Sequence, residues 1–301
     1  MPAPKPTLSN PVRSLRAVID RYDAVICDVW GVIHGGSKIY PAAYDCLLNL
    51  HQIGLPVILL SNSPRPVSMV RMQLEQKGLE PEMFGDIMSS GELTRLSLAN
   101  KEHEGLMYHM GLEADRALFE GLSLSETNEA SKADFAICSG FMTGKTPDIA
   151  SHQPVLEQLS TSGAHMLCAN PDKFVEIRGK KFLCAGTLAE HYEHMGGVVT
   201  RYGKPEKTAY DYCFARLAEI LDADINRERV LCIGDNMETD VLGAKNAGCG
   251  ALLITSGVHK GHFEKEQGKI FYQRDQSGVE NFYSKFGVNP DWVMKKLRWN
   301  N

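Results

Sequence analysis

Short apolar stretches alternate with segments of helical spacing along much of this chain, and this alternation restricts the fold most strongly. "AVICDV" precedes "PAAYDCLLNLHQIG", whose apolar residues recur every three or four positions before a glycine. "LPVILLSNSPRP" and "PVSMVRMQLEQKG" repeat that order, and "FGDIMSSGELTRLSLANKEHEG" repeats it again. Continuous apolar runs are typical of strands that are buried on both faces of a sheet. Three strand–helix units in a row therefore predict an α/β fold with a doubly wound parallel sheet.

The middle of the chain departs from this order, and the last third returns to it. Further strand candidates in the middle are "LMYHMG", "ADFAICSG", "HMLCAN" and "FLCAG". The strand–loop–helix order resumes with "RYGKPEKTAYDYCFARLAEILD" and "RVLCIGDNMETDVLGAKNAGCGALLITSG". A chain of 301 residues is long enough for about two domains. We therefore predict a core of residues 1–104 and 201–301, with an α/β cap of residues 105–200 inserted into it. The pattern after Gly257 is weak.

Composition and charge exclude several classes of protein. Apolar residues make up 43% of the chain and charged residues 23%, as in ordinary globular proteins. The net charge of −5 argues against binding to nucleic acid or to anionic membranes, although it allows a small anionic ligand. No apolar run has the length of a membrane span, and "MPAPKPTLSNPVRS" lacks the apolar centre of a signal peptide. The eight cysteines include no CxxC pair, which favours free thiols in a reducing cytoplasm.

Polar residues suited to a phosphate and a metal ion follow the predicted core strands. In open parallel sheets, ligands bind beyond the carboxyl ends of the strands. The residues at such ends are Asp28, the turn Ser61–Asn62–Ser63, Lys204 in "YGKP", and Asp235 with Asp240 in "IGDNMETD". Carboxylates are ligands that Mg²⁺ prefers, while a hydroxyl and a lysine suit phosphate oxygens. An ionised Asp28 beside the cation could attack phosphorus and form an aspartyl-phosphate.

The order of these motifs, with an insertion between the second and the third, resembles the haloacid dehalogenase superfamily. Within it, the chain is most similar to the NagD-like phosphatases, whose α/β cap follows the third core strand. The matching stretches are "DVWGVIHGG", "LLSNSPR", "SSGEL", "ANPD", "AGTL", "GKP" and "GDNMETD", and they extend from about Tyr22 to Gly257. The resemblance implies a Rossmann-like core and a Mg²⁺-dependent phosphatase. It also implies a small phosphorylated metabolite as substrate, either a nucleotide or a sugar phosphate.

The resemblance further implies a role for each matching residue. Asp28 would be the nucleophile, and Lys204 would neutralise the phosphoryl group. The Mg²⁺ ligands would be Asp28, the backbone carbonyl of Trp30, Asp235 and Asp240. The residues implied in binding phosphate or substrate are Gly31, Ser61, Asn62, Ser63, Asn170 and Asp172. The last two belong to "ANPD", a stretch that is equally typical of a plain turn.

Trp30 departs from the family's pattern. Related phosphatases ordinarily have a second aspartate at this position, which protonates the leaving oxygen and later activates water. An indole cannot transfer a proton, so attack by Asp28 could survive while the proton transfers suffer. His34, four residues further on, is the candidate replacement because histidine titrates near neutral pH, but an exposed loop histidine is the more ordinary interpretation. Trp30 could either pack beside the strand or stack on the substrate.

Three functions stay open at this point. The first is a phosphohydrolase, the second a phosphotransferase with an acceptor other than water, and the third a regulatory protein that binds phosphate and Mg²⁺ but turns over slowly. His191 and His194 in "EHYEH" do not form an HExxH motif and are better explained by packing or a surface position. Whether the protein is a homo-oligomer is not decided by the sequence.

Overall fold

The computed structural model describes residues 9–142, 148–177, 180–263 and 276–300. Its strands, in chain order, are β1 (Asn10–Pro11), β2 (Ala24–Cys27), β3 (Val57–Ser61), β4 (Asp86–Ser89), β5 (Leu106–Met110), β6 (Ser125–Glu126), β7 (Phe135–Cys138), β8 (His165–Cys168), β9 (Phe174–Ile177), β10 (Lys180–Leu183), β11 (Val199–Arg201), β12 (Val230–Gly234), β13 (Gly250–Ile254) and β14 (Trp292–Met294). The helices are α1 (Pro41–Gln52), α2 (Val67–Gln76), α3 (Ser90–Ala99), α4 (Gln153–Ser162), α5 (Ala185–His194), α6 (Lys207–Leu221), α7 (Leu242–Asn246), α8 (Lys260–Phe263) and α9 (Gln276–Ser284).

The larger sheet is built from both ends of the chain. It has seven strands in the order β1-β14-β13-β12-β2-β3-β4. In this order, each neighbouring pair from β1 across the sheet to β3 is parallel. β2 lies between β12 and β3, and all four of its residues are buried, which explains its unbroken apolar sequence. The predicted doubly wound α/β fold is confirmed. The short strands β1 and β14 extend the sheet beyond the predicted elements.

Local signals in the sequence account for the helices beside this sheet. α1 begins at Pro41, which supplies a helical φ where no hydrogen bond from its nitrogen is needed. α3 begins at Ser90, because the hydroxyl of Ser89 accepts a 3.0 Å hydrogen bond from the Glu92 N–H. In the chain, α1 is the next helix after β2 and α3 is the next helix after β4, as in repeated strand–helix units.

The middle of the chain forms a second sheet of five parallel strands, in the order β11-β8-β7-β5-β6. Its core contains residues from β7, β8 and α5, among them Met166, Leu188 and Tyr192. A separate antiparallel hairpin pairs β9 with β10. The predicted strand "FLCAG" contributes only Phe182 and Leu183 to β10, because α5 begins at Ala185.

The chain divides into two compact units. One comprises Met1–Leu60, Leu74–Ile87 and Tyr210–Asn301, and the other comprises Ser61–Gln73 and Met88–Ala209. The predicted boundaries of core and cap, at residues 104–105 and 200–201, stay a prediction. Within the described ranges, no helix combines the length and the apolar character needed to cross a bilayer.

All eight cysteines are buried and free, as the sequence predicted. Burial raises the pKa of the Cys168 thiol to about 12, and it has the same effect on Cys184. Both thiols therefore stay protonated near neutral pH and are poor nucleophiles.

Candidate active site

Asp28 is the first residue after β2, and its side chain is buried. Its backbone N–H donates a 2.8 Å hydrogen bond to the carbonyl of Ile233, near the end of the neighbouring strand β12. Asp235 follows β12 directly. Because β2 and β12 are parallel neighbours, the chain leaves both strands at the same edge of the sheet, and an acidic residue lies at each exit.

Asp240 reaches the same place from a π-helical turn, Met237–Val241, that leads into α7. Its Oδ2 accepts hydrogen bonds from the backbone N–H groups of Asp235 (3.1 Å) and Asn236 (3.0 Å). A Cβ atom at Gly234 would lie 2.1 Å from Asp240 Cγ, so this approach requires a glycine. Single π-turns of this kind are common at functional sites, where they change the direction of a side chain.

These three aspartates form a compact group of carboxylates. Asp28, Asp235 and Asp240 each offer one oxygen, and those oxygens lie within 4.8 Å of one another. The residues are only 7%, 4% and 6% exposed. Three negative charges this close and this buried repel one another strongly unless a cation lies between them. An all-oxygen donor set of this kind fits Mg²⁺.

The loop after Asp28 brings the backbone of Gly31 against this group. Gly31 has a φ of +85°, and a Cβ atom there would lie 2.0 Å from Asp235 Oδ2. The turn is held by hydrogen bonds from the Gly31 N–H to the carbonyl of His34 (2.8 Å) and from the Ile33 N–H to the carbonyl of Val29 (3.0 Å). The peptide between Trp30 and Gly31 is thereby kept close to the Asp235 carboxylate.

Trp30 and His34 pack against each other in this loop. Their rings meet edge to face, with centroids 5.2 Å apart. His34 is buried, and its Nδ1 accepts a 3.0 Å hydrogen bond from the Gly36 N–H. Burial, with a smaller contribution from the charge of Lys77, lowers the pKa of His34 to about 4. Both sequence-based expectations, an exposed loop position and titration near neutral pH, are therefore wrong for His34. Its ring is neutral at pH 7.

A second group of predicted residues centres on the amide of Asn62. Its Nδ2 donates to Asp172 Oδ1 (3.0 Å) and to the backbone carbonyl of Lys204 (3.1 Å). Its Oδ1 accepts from the Lys204 backbone N–H (2.8 Å) and the Ser90 hydroxyl (3.2 Å). An amide can donate two hydrogen bonds and accept about two, so this side chain is fully used within the protein. It holds Ser90, Asp172 and Lys204 together, and its predicted role in binding phosphate stays a prediction.

The other predicted residues of this unit lie in turns around Asn62. Ser61 is buried at the end of β3, and its Oγ accepts a 3.2 Å hydrogen bond from the Ser63 N–H. Asn170 Oδ1 accepts from the Asp172 N–H (3.2 Å), which makes "ANPD" a side-chain-stabilised turn. The Lys204 residue is itself buried. The structure thus forms two groups, each within its own unit: Asp28, Gly31, Asp235 and Asp240 in one, and Asn62, Asp172 and Lys204 in the other.

Several residues around these groups were not predicted. Ser90 donates to Asn62, Val258 donates its backbone N–H to Asp235 Oδ2 (3.0 Å), and His259 accepts from the Met237 N–H (3.0 Å). The "SSGEL" stretch gave a signal for Ser90, whereas nothing in "GVHK" pointed to the other two. His191 Nε2–H donates a 2.7 Å hydrogen bond to Gln153 Oε1, and the metal-ligand group found in the described residues does not include it.

Comparison with known proteins agrees with this geometry. A family model described as haloacid dehalogenase-like hydrolase matches residues 25–125, and a second HAD-hydrolase-like model matches residues 201–275. A crystal structure of a haloacid dehalogenase-like family hydrolase from Brucella suis 1330 superimposes with a TM-score of 0.82 at 30% identity, covering 95% of this chain and 99% of that one. This chain belongs to the haloacid dehalogenase-like hydrolases.

Two curated members of the family are similar over most of their length. The ribonucleotide monophosphatase NagD of Escherichia coli K12 is 26% identical over 246 residues, which cover 78% of this chain and 88% of NagD. The 5'-nucleotidase YutF of Bacillus subtilis is 23% identical over 245 residues, with 79% and 89% covered. These relatives place the chain with the NagD-like phosphatases of the family, and they confirm the enzyme class that its sequence predicted.

Proposed function

We propose that this phosphatase depends on Mg²⁺ and hydrolyses the phosphate ester of a small metabolite, either a nucleotide or a sugar phosphate. The convergence of Asp28, Asp235 and Asp240 is the observation that carries the proposal. These carboxylates, with the backbone carbonyl of Trp30, would hold the ion. When bound, Mg²⁺ would supply positive charge that offsets the repulsion between Asp28 and a phosphate. The names of NagD and YutF support a nucleotide among the two substrate classes.

In the proposed reaction, a carboxylate oxygen of Asp28 attacks phosphorus. The bond between Asp28 and phosphorus forms, the ester bond breaks, and the leaving oxygen takes that bond's electron pair and then needs a proton. Water next attacks the phosphorus and loses a proton to solvent, while the bond to Asp28 breaks. Inorganic phosphate leaves, and the carboxylate is restored. Lys204 and Ser61 would hold the phosphoryl oxygens, and Asn62 would act by positioning Lys204.

The source of the proton for the leaving oxygen limits the substrates. Trp30 has no titratable group, and His34 is neutral at pH 7 because its pKa is about 4. Neither side chain can therefore supply this proton at pH 7, and we propose that it comes from water, which is a slow donor to a poor leaving group. Aryl phosphates, which leave without a proton, should be hydrolysed faster than alkyl or sugar phosphates.

The same two residues favour a second candidate function. A protein with this site and without a positioned acid could bind Mg²⁺ and a phosphorylated metabolite as a regulator, with weak turnover.

We also propose that residues 105–200 act as a cap that selects the substrate, with Asn170 and Asp172 as its contact residues, and that the protein works in the cytoplasm. A phosphotransferase would be recognised by a phosphorylated product other than inorganic phosphate.

A phosphate-release assay tests the main proposal. Aryl phosphate, nucleoside monophosphates and sugar phosphates are offered with Mg²⁺ and with a chelator, and Asp28→Asn serves as the matched control of nearly the same size. We expect Mg²⁺-dependent release that disappears in the folded variant. Turnover that survives in folded Asp28→Asn would overturn the nucleophile assignment, and equal turnover in chelator would overturn the metal dependence.

A further inference from the structure

The segment after β13 contacts Asp235 and the turn that carries Asp240. The Val258 N–H donates to Asp235 Oδ2 at 3.0 Å. The next residue, His259, accepts a 3.0 Å hydrogen bond at Nε2 from the N–H of Met237. Met237 is the first residue of the π-turn that carries Asp240. Two consecutive residues therefore reach the Asp235 carboxylate and the turn that places Asp240.

The hydrogen bond to Met237 satisfies a buried donor at the start of this turn. The first N–H groups of a helical turn have no partner within the turn and need one from outside it. The Asn236 side chain accepts from the Glu238 N–H at 2.9 Å, and His259 accepts from the preceding N–H. To accept at Nε2, the imidazole must be neutral with its hydrogen on Nδ1. The two side chains together fix the entry into the turn.

The position of the His259 ring is set by aromatic packing. His259 is only 8% exposed. Phe282 of α9 and Phe286, just beyond that helix, pack edge to face against it, with centroids 5.1 Å and 5.5 Å away. Edge-to-face pairs of this kind restrict the ring's orientation. The C-terminal segment is thus in contact with the residue that supports the π-turn.

We propose that His259 is a positioning residue for the metal site, and that the C-terminal segment around Phe282 and Phe286 holds it in place. This inference rests on the proposed Mg²⁺ dependence. His259 accepts the Met237 N–H and thereby acts on the turn that places Asp240. Loss of such outer contacts typically costs about 10-fold to 100-fold in metal affinity.

Two polar substitutions separate this role from general packing. In His259→Gln, the amide oxygen can reach the place of the ring Nε2 and accept the same hydrogen bond. In His259→Asn, the shorter amide reaches only as far as the ring Nδ1. His262→Asn is the matched control, because His262 packs on the same Phe282 ring, 4.8 Å away, but is exposed. The probe is Mn²⁺, whose binding to the full chain is measured by electron paramagnetic resonance, together with kcat and KM for an aryl phosphate.

We expect His259→Asn to weaken Mn²⁺ binding by about 10-fold or more, with His259→Gln and His262→Asn close to the natural protein. Equal Mn²⁺ affinity in folded His259→Asn would overturn the inference. If that variant does not fold, Phe286→Ala tests the same inference, since it loosens the ring and keeps the imidazole. Weakened Mn²⁺ binding there supports the inference, and unchanged binding overturns it. Absence of Mn²⁺ binding in the natural protein would instead overturn the proposed metal dependence.

Discussion

Substitution of Gly31 by alanine should damage the metal site through one carboxylate. Gly31 has a φ of +85°, a region that costs an L-residue about 1–2 kcal/mol. The new Cβ would also lie 2.0 Å from Oδ2 and 2.7 Å from Cγ of Asp235. That carboxylate is confined elsewhere as well, because a Cβ at Gly257 would lie 1.8 Å from the same oxygen and the Val258 N–H binds it. Asp235 must therefore move or the loop must open.

The two costs can be measured separately with two matched glycines. Gly54 has a φ of +72°, and a methyl group added there would meet nothing within 4 Å, so Gly54→Ala carries the backbone cost alone. Gly257→Ala carries the clash with Asp235 without a positive φ. Urea denaturation gives the free energy of unfolding for each variant. Mn²⁺ binding, followed by electron paramagnetic resonance, gives the metal affinity.

We expect Gly54→Ala to lose about 1–2 kcal/mol of unfolding free energy with unchanged Mn²⁺ affinity. Gly31→Ala should lose more stability than this, and its Mn²⁺ affinity should fall by about 10-fold to 100-fold. That fall corresponds to about 1.4–2.7 kcal/mol of binding free energy. Gly257→Ala should reproduce the loss of affinity. If Gly31→Ala matched Gly54→Ala in both measurements, the close approach to Asp235 would not matter for the metal.

Three further outcomes follow from the same structure. Trp30→Asp should raise the turnover of sugar phosphates by up to about 10²–10⁴-fold and change aryl phosphate turnover little, and equal gains for both ester classes would contradict the missing-acid argument. The pKa of His34 is about 4 in the folded protein against 6.5 unfolded, so the natural protein should lose up to about 3 kcal/mol of stability as the pH falls from 6.5 to 4. His34→Gln should flatten that pH profile in urea denaturation, and parallel profiles would count against the buried neutral ring. Asn62→Ala should lower the free energy of unfolding by about 1–3 kcal/mol in the same assay, because it removes the hydrogen bonds that Asn62 makes to the buried backbone N–H and carbonyl of Lys204, and an unchanged value would refute this role.

The strands and the acidic group could be predicted because both follow from short-range patterns. A run such as Ala24–Cys27 is apolar at every position only if both faces are buried, and that condition indicates a central parallel strand. Neighbouring parallel strands end at one edge of the sheet, so Asp28 and Asp235 come together once β2 and β12 are neighbours. The sequence therefore contained enough to predict which carboxylates converge.

The partners of the polar side chains could not be predicted in the same way. From the sequence, Asn62 is predicted to be a turn residue. Only the fold shows that its amide forms hydrogen bonds with Lys204, 142 positions away, and with Asp172, 110 positions away. His259 lies in a stretch without a periodic pattern, and its contacts come from the distant Phe282 and Phe286. Such contacts depend on tertiary packing, which leaves no signal in the local sequence.

The loop that follows Asp28, residues 29–36, places the backbone of Gly31 beside the metal group, and two of its side chains pack against each other. The indole of Trp30 lies against His34, and a Cβ at Gly36 would come within 3.1 Å of the indole. Trp30→Asp therefore introduces an acid and also removes a ring from this packing. Trp30→Asn removes the same ring at nearly the same size without adding an acid. A gain that Trp30→Asp shows for sugar phosphates alone, and that is absent from Trp30→Asn, would assign the effect to proton transfer, whereas equal gains in both variants would assign it to the altered loop.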